Sequence, residues 1–241
     1  MTTLIVGASG ATGRLLVKEL LDCGESVRII IRENSNLLEP VITNHKNLSI
    51  IKASIHDLTD TEIAEHVKGC SAVASCLGHN MSLKGIYGHP RRLVLDTTRR
   101  LCKAIRANHP EVPVKYVLMN TTGNSNRDIS EPVAFRHKCV IWLLRLLLPP
   151  HVDNEKAADF LRTEIGQDDS EIQWAAVRPD SLIDEMEMTD YEEHASPIRD
   201  AIFDAGRTSR INVAHFMAKL ITDHGKWNTW RGQMPVIYNK K

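Results

Sequence analysis

Three glycines spaced three residues apart, Gly7, Gly10 and Gly13, stand between the apolar run Leu4-Ile5-Val6 and a stretch with apolar residues at Leu15, Leu16, Val17 and Leu20. The pattern reads as strand, glycine turn and helix. Gly7 lets the chain turn sharply off the strand, Gly10 lets backbone N–H groups approach a pyrophosphate, and Gly13 lets the helix pack close to a sheet. Ser9, Ala11 and Thr12 complete the turn. Its chemistry is that of an anion cradle, because unpaired donors and the macrodipole favour phosphate at a helix N-terminus. Strand and helix flank the glycines as the motif demands, so the stretch predicts a dinucleotide site.

The next position with chemistry is the end of the second strand. Ser26-Val27-Arg28-Ile29-Ile30-Ile31 is β-rich, is bounded by Gly24 and by Glu33-Asn34-Ser35-Asn36, and ends at Arg32. A carboxylate there would take the ribose 2′-hydroxyl of NAD, whereas a cation suits the 2′-phosphate of NADP. Arg32 favours NADP. Glu33, twenty residues after Gly13, is the counter-evidence, and Arg14 is either a second phosphate contact or helix surface.

The remaining elements must place these groups and their counterparts. Residues 48–52 form a third strand, followed by His56-Asp57-Leu58. Asp57, with Leu58 beside it, either accepts from the adenine amino group or caps a helix over 61–67. Residues 72–78 form a fourth strand whose end, Cys76-Leu77-Gly78, is where backbone can lie against a cofactor. His79 and Asn80 then open a loop reaching Pro90, which reads as a wall of the substrate side or as disordered chain. A helix over 93–107 leads to a fifth strand over 115–119, ending in Asn120-Thr121-Thr122-Gly123. Ligands of open α/β sheets bind outside the carboxyl ends of the strands, so these polar groups face the reacting end of a cofactor, or else form a turn that satisfies its own backbone. Residues 124–135 read as polar loop. A helix over 136–148, with Trp142 on a core or subunit-contact face, is stopped by Pro149-Pro150, and a helix over 151–162 has Asp153 as a candidate cap. A sixth strand over 172–177 is followed by Arg178-Pro179-Asp180-Ser181, with Pro179 counted on the cofactor side. The acidic stretch 185–193 reads as a solvated lid or loop, residues 208–212 lead into a helix over 213–221, and residues 234–238 add a last edge strand.

Strands alternating with helices imply an α/β fold, a Rossmann-type doubly wound parallel sheet with helices on both faces. One NAD(P)-binding domain is expected over residues 1–241, with residues from about 180 onward completing the substrate side. Lysine plus arginine and aspartate plus glutamate number 30 each, so nothing global attracts nucleic acid or an anionic membrane. The apolar run over 139–148 is interrupted by Arg145 and is too short to span a bilayer, and no leader precedes the first strand, so a cytoplasmic location is expected. Five scattered cysteines without a C-x-x-C suit reduced thiols. Eleven dispersed histidines make no metal-ligand spacing, so no metal is expected.

Taken together, Gly7 to Gly13, Ile30-Ile31-Arg32-Glu33-Asn34-Ser35, and Ser209-Arg210 with His215-Phe216-Met217 resemble the atypical short-chain dehydrogenase/reductase group that holds the NmrA-like proteins and the biliverdin reductase B type flavin reductases. The resemblance covers nearly the whole chain. It implies NADP bound across the switch point of the sheet, with Ser35 near its phosphate and Asn120 and Thr121 beside the nicotinamide. The superfamily's usual Tyr-x-x-x-Lys pair, in which lysine lowers the phenol's pKa for proton exchange, is missing: Tyr87, Tyr116, Tyr191 and Tyr238 have no lysine four residues on. The lysine's place falls on Asn154. The flavin-reductase-like relatives line their pocket with a serine and histidines, and the matching positions here are Thr121, Asn154 and Ser181. Thr121 and Asn154 are thus the catalytic candidates, with His79, Asn80, Thr122, His137 and Ser181 on the substrate side. The implied activity is hydride transfer from NADPH to a small conjugated acceptor of flavin, quinone or carbonyl type; the alternative is an NADP(H)-sensing module acting on a protein partner. A homodimer is compatible with either.

Overall fold

The computed structural model describes residues 1–33, 35, 40–80, 82–129, 131 and 135–240, with side chains except at 40, 41, 84 and 135–139. In chain order they form β1 (Thr2–Val6), α1 (Gly13–Asp22), β2 (Ser26–Ile31), α2 (Pro40–Thr43), β3 (Leu48–Lys52), α3 (Asp60–Val67), β4 (Ala72–Ser75), α4 (Leu83–Tyr87) and α5 (Leu93–Ala107). There follow β5 (Val114–Met119), α6 (Phe135–Leu147), α7 (Pro149–Phe160) with a π-helical turn over Leu161–Ile165, β6 (Ile172–Pro179), β7 (Ser181–Ile183), β8 (Tyr191–His194), β9 (Arg207–Ser209), α8 (Arg210–Thr222), α9 (His224–Trp230) and β10 (Val236–Asn239).

Eight strands make one sheet in the order β3-β2-β1-β4-β5-β6-β10-β8, and β7 pairs with β9 in a second, two-stranded one. Neighbours in the large sheet are parallel except β10 and β8. The chain builds outward from β1 to β3, returns, and builds outward the other way from β4 to β6. That reversal leaves a crevice between the carboxyl ends of β1 and β4, the place where doubly wound sheets take their ligands. The sheet is the expected Rossmann-like α/β fold.

Helices cover both faces because the central strands are apolar on both. Leu4, Val6, Val73, Tyr116 and Trp174 pack with side chains of α3, α5 and α7, while Ile5, Ile29, Ala74, Val117 and Ala175 turn to the opposite face and pack with α1, α8 and α9. The period of two along each strand divides the core in this way. Lys115 interrupts it usefully. Its buried Nζ donates to the carbonyls of Leu220 (3.3 Å) and Ile221 (2.7 Å) and stands 5.2 Å over the Trp227 ring. A cation thus meets the unpaired carbonyls ending α8, although burial pushes its pKa down.

Several expectations are corrected. The last strand, β10, is not an edge: it lies between β6 and β8. The edge is β8, from the acidic stretch read as lid or loop. Glu193 of β8 accepts from Lys226 Nζ (2.6 Å) and Trp230 Nε1 (2.8 Å), and the alternate carboxylate Glu192 stays more exposed, a charged edge of the kind that resists strand addition. Pro149 and Pro150 do not only stop α6; they open α7, where a missing N–H costs nothing. The face of α6 carrying Trp142 is not core, since Trp142 is 66 % exposed and Leu143, Leu146 and Leu147 are exposed beside it. The loop toward Pro90 carries α4. The thiols of Cys23, Cys70, Cys76 and Cys102 are free. No helix among the described residues is long and apolar enough to cross a membrane, and no group of three metal-ligating side chains occurs among them.

Candidate functional site

The glycine turn follows β1 into the crevice. Gly7 has φ +74°, and a Cβ on it would fall 2.5 Å from the Cys76 carbonyl carbon; β4 therefore passes too close for any side chain. A Cβ on Gly13 would meet Gly7 O at 2.2 Å. At Gly10 the nearest atom to such a Cβ is Gly7 O at 3.2 Å, so the chain itself asks less of this position. Gly10 N–H closes the turn on Gly7 O (3.0 Å) and Arg14 N–H bonds Gly10 O (3.0 Å). Leu16 N–H likewise bonds Thr12 O (3.0 Å), so the turn and the first turn of α1 are joined through backbone. Thr12 precedes the helix, and its hydroxyl makes no cap bond.

In front of this turn lies a cleft of about 430 Å³, within the range of small-molecule sites. Gly7 and Ser9 line one side, Arg32 stands at the end of β2, Ala53 to His56 follow β3, Leu77 to Asn80 follow β4, and Gly85, Gly88 and Pro90 close it from the α4 segment. Arg32 and Glu33 are both exposed. Ser35 N–H bonds Arg32 O (3.0 Å), and Ser9 Oγ lies 3.4 Å from Ser35 Oγ, so two hydroxyls meet where β2 ends. The Cys76 side chain belongs to the core beside Ile5 and Ala74, and burial pushes its thiol up to about 12.

Asp57 and Leu58 line an adjoining recess with Glu33 and Ser35, which shares Arg32, Ala53 and Ser54 with the cleft. Asp57 does not cap a helix: Thr59 does, accepting from Glu62 N–H (3.2 Å) while Glu62 Oε2 accepts from Thr59 N–H (2.7 Å). Ala53, Ser54, Ile55 and His56, which follow the end of β3, line the cleft itself.

His79 and Asn80 do line the cleft. The His79 ring is buried, with Nδ1 3.2 Å from Gly85 O and Nε2 2.7 Å from Asp153 Oδ2. Asp153 caps not its own helix but α5, accepting from Val94 N–H (2.8 Å) and Leu95 N–H (3.0 Å). One carboxylate therefore ties the end of β4, the α4 segment, α5 and α7 together. Sequence reasoning had no signal for this, because the partners are 58 to 74 residues apart.

The polar groups at the ends of β5 and β6 form a second cluster. Asn120 Nδ2 donates to Asn154 O (3.1 Å), and Asn120 Oδ1 accepts from Thr121 N–H (2.8 Å) and from Asn124 Nδ2. Thr121 Oγ1 accepts from Gly123 N–H (3.3 Å), Asn154 Nδ2 donates to Pro150 O (3.1 Å), and Thr122 N–H bonds Pro179 O (3.2 Å). Asn120 is buried, whereas Thr121 and Asn154 are half-buried. The Asn/Thr/Gly segment thus satisfies much of its own backbone, and it also joins β5 to α7 through Asn120. Ser181, at the start of β7, is exposed. Asp180 beside it is pushed up by burial, against hydrogen bonds from Gly206, Ser181 and Thr122. The His137 side chain is outside the described residues. Arg178 is a further residue that sequence reasoning left unassigned: fully buried, it donates to Met234 O (2.6 Å), Asn124 O (2.8 Å), Ala195 O (3.1 Å) and both oxygens of Glu131. It fastens the loop after β5 to the end of β6. Tyr116 has its phenol buried against Thr98 Oγ1 (3.1 Å), which removes it from surface proton chemistry.

Comparison with known proteins agrees with this geometry. No curated protein matches the chain. Among solved structures, a short-chain dehydrogenase/reductase (wide type) from Veillonella parvula in complex with NADP superposes with a TM-score of 0.70 at 17% identity, covering 99% of this chain and 94% of its own. ChuY, an anaerobillin reductase from Escherichia coli, gives 0.67 at 15% over 100% and 98%, and a proposed NADH-flavin reductase from Streptococcus pneumoniae gives 0.63 at 17% over 100% of both chains. At these identities the likeness is one of fold. The family model described as NAD(P)H-binding matches residues 7–224, from the first glycine of the turn to the start of α9, and the chain belongs to that NAD(P)H-binding family.

Proposed function

We propose that this protein is an NADPH-dependent reductase of a flat, conjugated acceptor of flavin, quinone or carbonyl type. The observation that carries the reading is the cleft lined by Gly7 and Ser9 of the turn, by Arg32 at the end of β2 and by the segments after β3 and β4, beside a turn whose contacts require glycine at positions 7 and 13. The glycine turn and the N-terminus of α1 would hold the pyrophosphate. Arg32, with Ser9 and Ser35, would hold the 2′-phosphate of the adenosine ribose, which favours NADP over NAD; Glu33 is the opposing charge. The bound cofactor supplies the hydride. The chain's part is orientation: Pro179 and the Asn120-Thr121-Thr122 segment bound the reacting end, Thr121 and Asn154 offer the acceptor hydrogen-bonding groups, and His79, Asn80 and Ser181 stand on the substrate side. No Tyr-x-x-x-Lys pair supplies the proton, and an acceptor that draws it from solvent needs none. The names of two structural relatives, an anaerobillin reductase and a proposed NADH-flavin reductase, support an acceptor of this kind.

The test follows the near-ultraviolet absorbance of NADPH with a panel of flavins, quinones and aldehydes. Turnover of a flavin or quinone is expected. Tight NADPH binding without reduction of any acceptor would refute the reductase reading. It would favour the second one, a module that senses NADP(H) and signals to a protein partner or second copy. The observation behind that alternative is the internal use of Asn120, Thr121 and Asn154, whose polar atoms already bond the chain itself.

A further inference from the structure

The zero net charge of the chain hides an uneven distribution. Residues 79–95 and 135–152 hold six cations, Lys84, Arg91, Arg92, Arg136, Lys138 and Arg145, and no aspartate or glutamate, which leaves the rest of the chain with six more carboxylates than lysines and arginines. The fold joins the two segments, since Tyr87 of α4 donates its hydroxyl to Leu147 O at the end of α6 (3.1 Å). Together they show water an apolar surface. On α6, Trp142, Leu143, Leu146 and Leu147 recur at spacings that put them on one face, all exposed, while Ile141 is buried on the other side. On α4, Leu83 and Tyr87 are exposed one turn apart. Arg91 and Arg92 are exposed next to them, and Arg91 Nε donates to Tyr87 O (3.3 Å). Arg145 is neutralised by Glu155 of α7, whose two oxygens accept at 2.8 Å.

Six large apolar side chains exposed side by side mark an interaction site, and the surrounding charge says of what kind. We propose that the α4–α6 face docks on an anionic lipid bilayer. The helix α6, about 20 Å long, lies in the interface with Trp142 and its leucines among the acyl chains and the basic residues at the headgroups. The excess of carboxylates over the rest of the chain turns that remainder away from the surface. A second copy of the chain fits less well, because a two-fold contact through this face sets cations against cations. A protein partner would be read by hydrogen bonds, yet between Val140 and Leu147 the only polar side-chain groups are the Trp142 indole N–H and the paired Arg145. The α4 segment also closes the cleft through Gly85, so a docked molecule holds that wall of the cleft at the bilayer surface. Docking does not rest on the cofactor reading, and its test uses no nucleotide.

The full chain is mixed with vesicles of phosphatidylcholine alone, or of equal parts phosphatidylcholine and phosphatidylglycerol, and the bound fraction is read by flotation. Tryptophan emission gives a second reading, because Trp142 is exposed whereas Trp174, Trp227 and Trp230 are buried. The wild type should bind the anionic vesicles at least about tenfold more tightly than the neutral ones, lose that advantage in high salt, and shift its emission to shorter wavelength. Trp142→Phe should keep most of the binding and abolish the shift. Arg92→Gln should weaken binding about fivefold and Leu146→Ser on the order of tenfold, with urea midpoints unchanged because both side chains are exposed. Failure of the wild type to float with anionic vesicles would overturn the proposal, as would equal binding to both vesicle types or bound protein whose emission does not shift. A vesicle-free dimer that Leu146→Ser returns to monomer would give the face to a second copy and overturn it too. So would binding to soluble polyglutamate without flotation, which would give the face to an acidic protein.

Discussion

Asp153→Ala is the substitution whose consequences the structure specifies most fully. The side chain is 1 % exposed and accepts three hydrogen bonds, from Val94 N–H, Leu95 N–H and His79 Nε2. Its loss uncaps α5 at two amides, worth about 1–2 kcal/mol as a cap, and leaves His79 Nε2 buried without a partner at about 1–3 kcal/mol more. The sum is about 2–5 kcal/mol, which for a chain of this size lowers Tm by about 4–20 °C. Urea unfolding of Asp153→Ala, His79→Ala and the double variant forms the appropriate cycle. The two single effects should exceed the double one by about 1–2 kcal/mol, since each removes the same bond. Additivity to within about 0.5 kcal/mol would refute the claim that this pair ties the cleft wall to α7. An Asp153→Ala variant as stable as the wild type would refute its capping role as well.

Three further outcomes follow from the same geometry. Arg32→Asp should weaken NADP binding by at least about 2 kcal/mol, roughly 30-fold, and spare NAD, because it replaces a charge-assisted contact by a repulsive one; calorimetry with both nucleotides checks this, and equal loss for the two would make Arg32 a support of the fold. Thr121→Val should lower kcat about ten- to a hundredfold with NADPH affinity nearly intact, as expected for a hydroxyl that orients the acceptor, and the pH–rate profile should lack the alkaline loss that an ionising catalytic phenol produces. Stability should depend on histidine burial: His56, His151 and His215 all have pKa values below the ordinary 6.5, chiefly because burial disfavours the charged ring. Their contribution is whole above 6.5 and is lost as pH falls through that value toward each lowered one, since the unfolded chain takes up the protons first. Urea midpoints should decline over that interval, and less steeply in His151→Gln.

Much of the fold could be read from the chain because its cues are local. The glycine turn, the bounds of β2, β3 and α5, and the doubly wound class all rest on short-range pattern: apolar runs, 3.6-residue periodicity and turn residues. Where the reading failed, a distant partner decided. Residues 234–238 have the composition of an edge strand, yet the register of β10 with β6 and β8 places it inside the sheet. In the acidic stretch, Glu193 is paired by the Lys226 ammonium and hydrogen-bonded by Trp230 Nε1, both from α9, partners that local pattern does not show. Asp153 resembles a cap of its own helix, and only the approach of α5 shows which amides it serves. In the candidate site the turn and Arg32 were legible as motif, whereas Asp153 and Arg178 hold the surrounding segments through partners far along the chain, and His56 meets the cleft only in the folded chain.

The most direct test of the reductase account is a single-turnover experiment without oxygen. Protein carrying bound NADPH is mixed rapidly with a flavin or quinone, and the near-ultraviolet absorbance of the nicotinamide is followed together with that of the acceptor. The account predicts that both signals decay in one shared phase, faster than for free NADPH at the same concentrations. Bound NADPH that persists at the uncatalysed rate with every acceptor would contradict it.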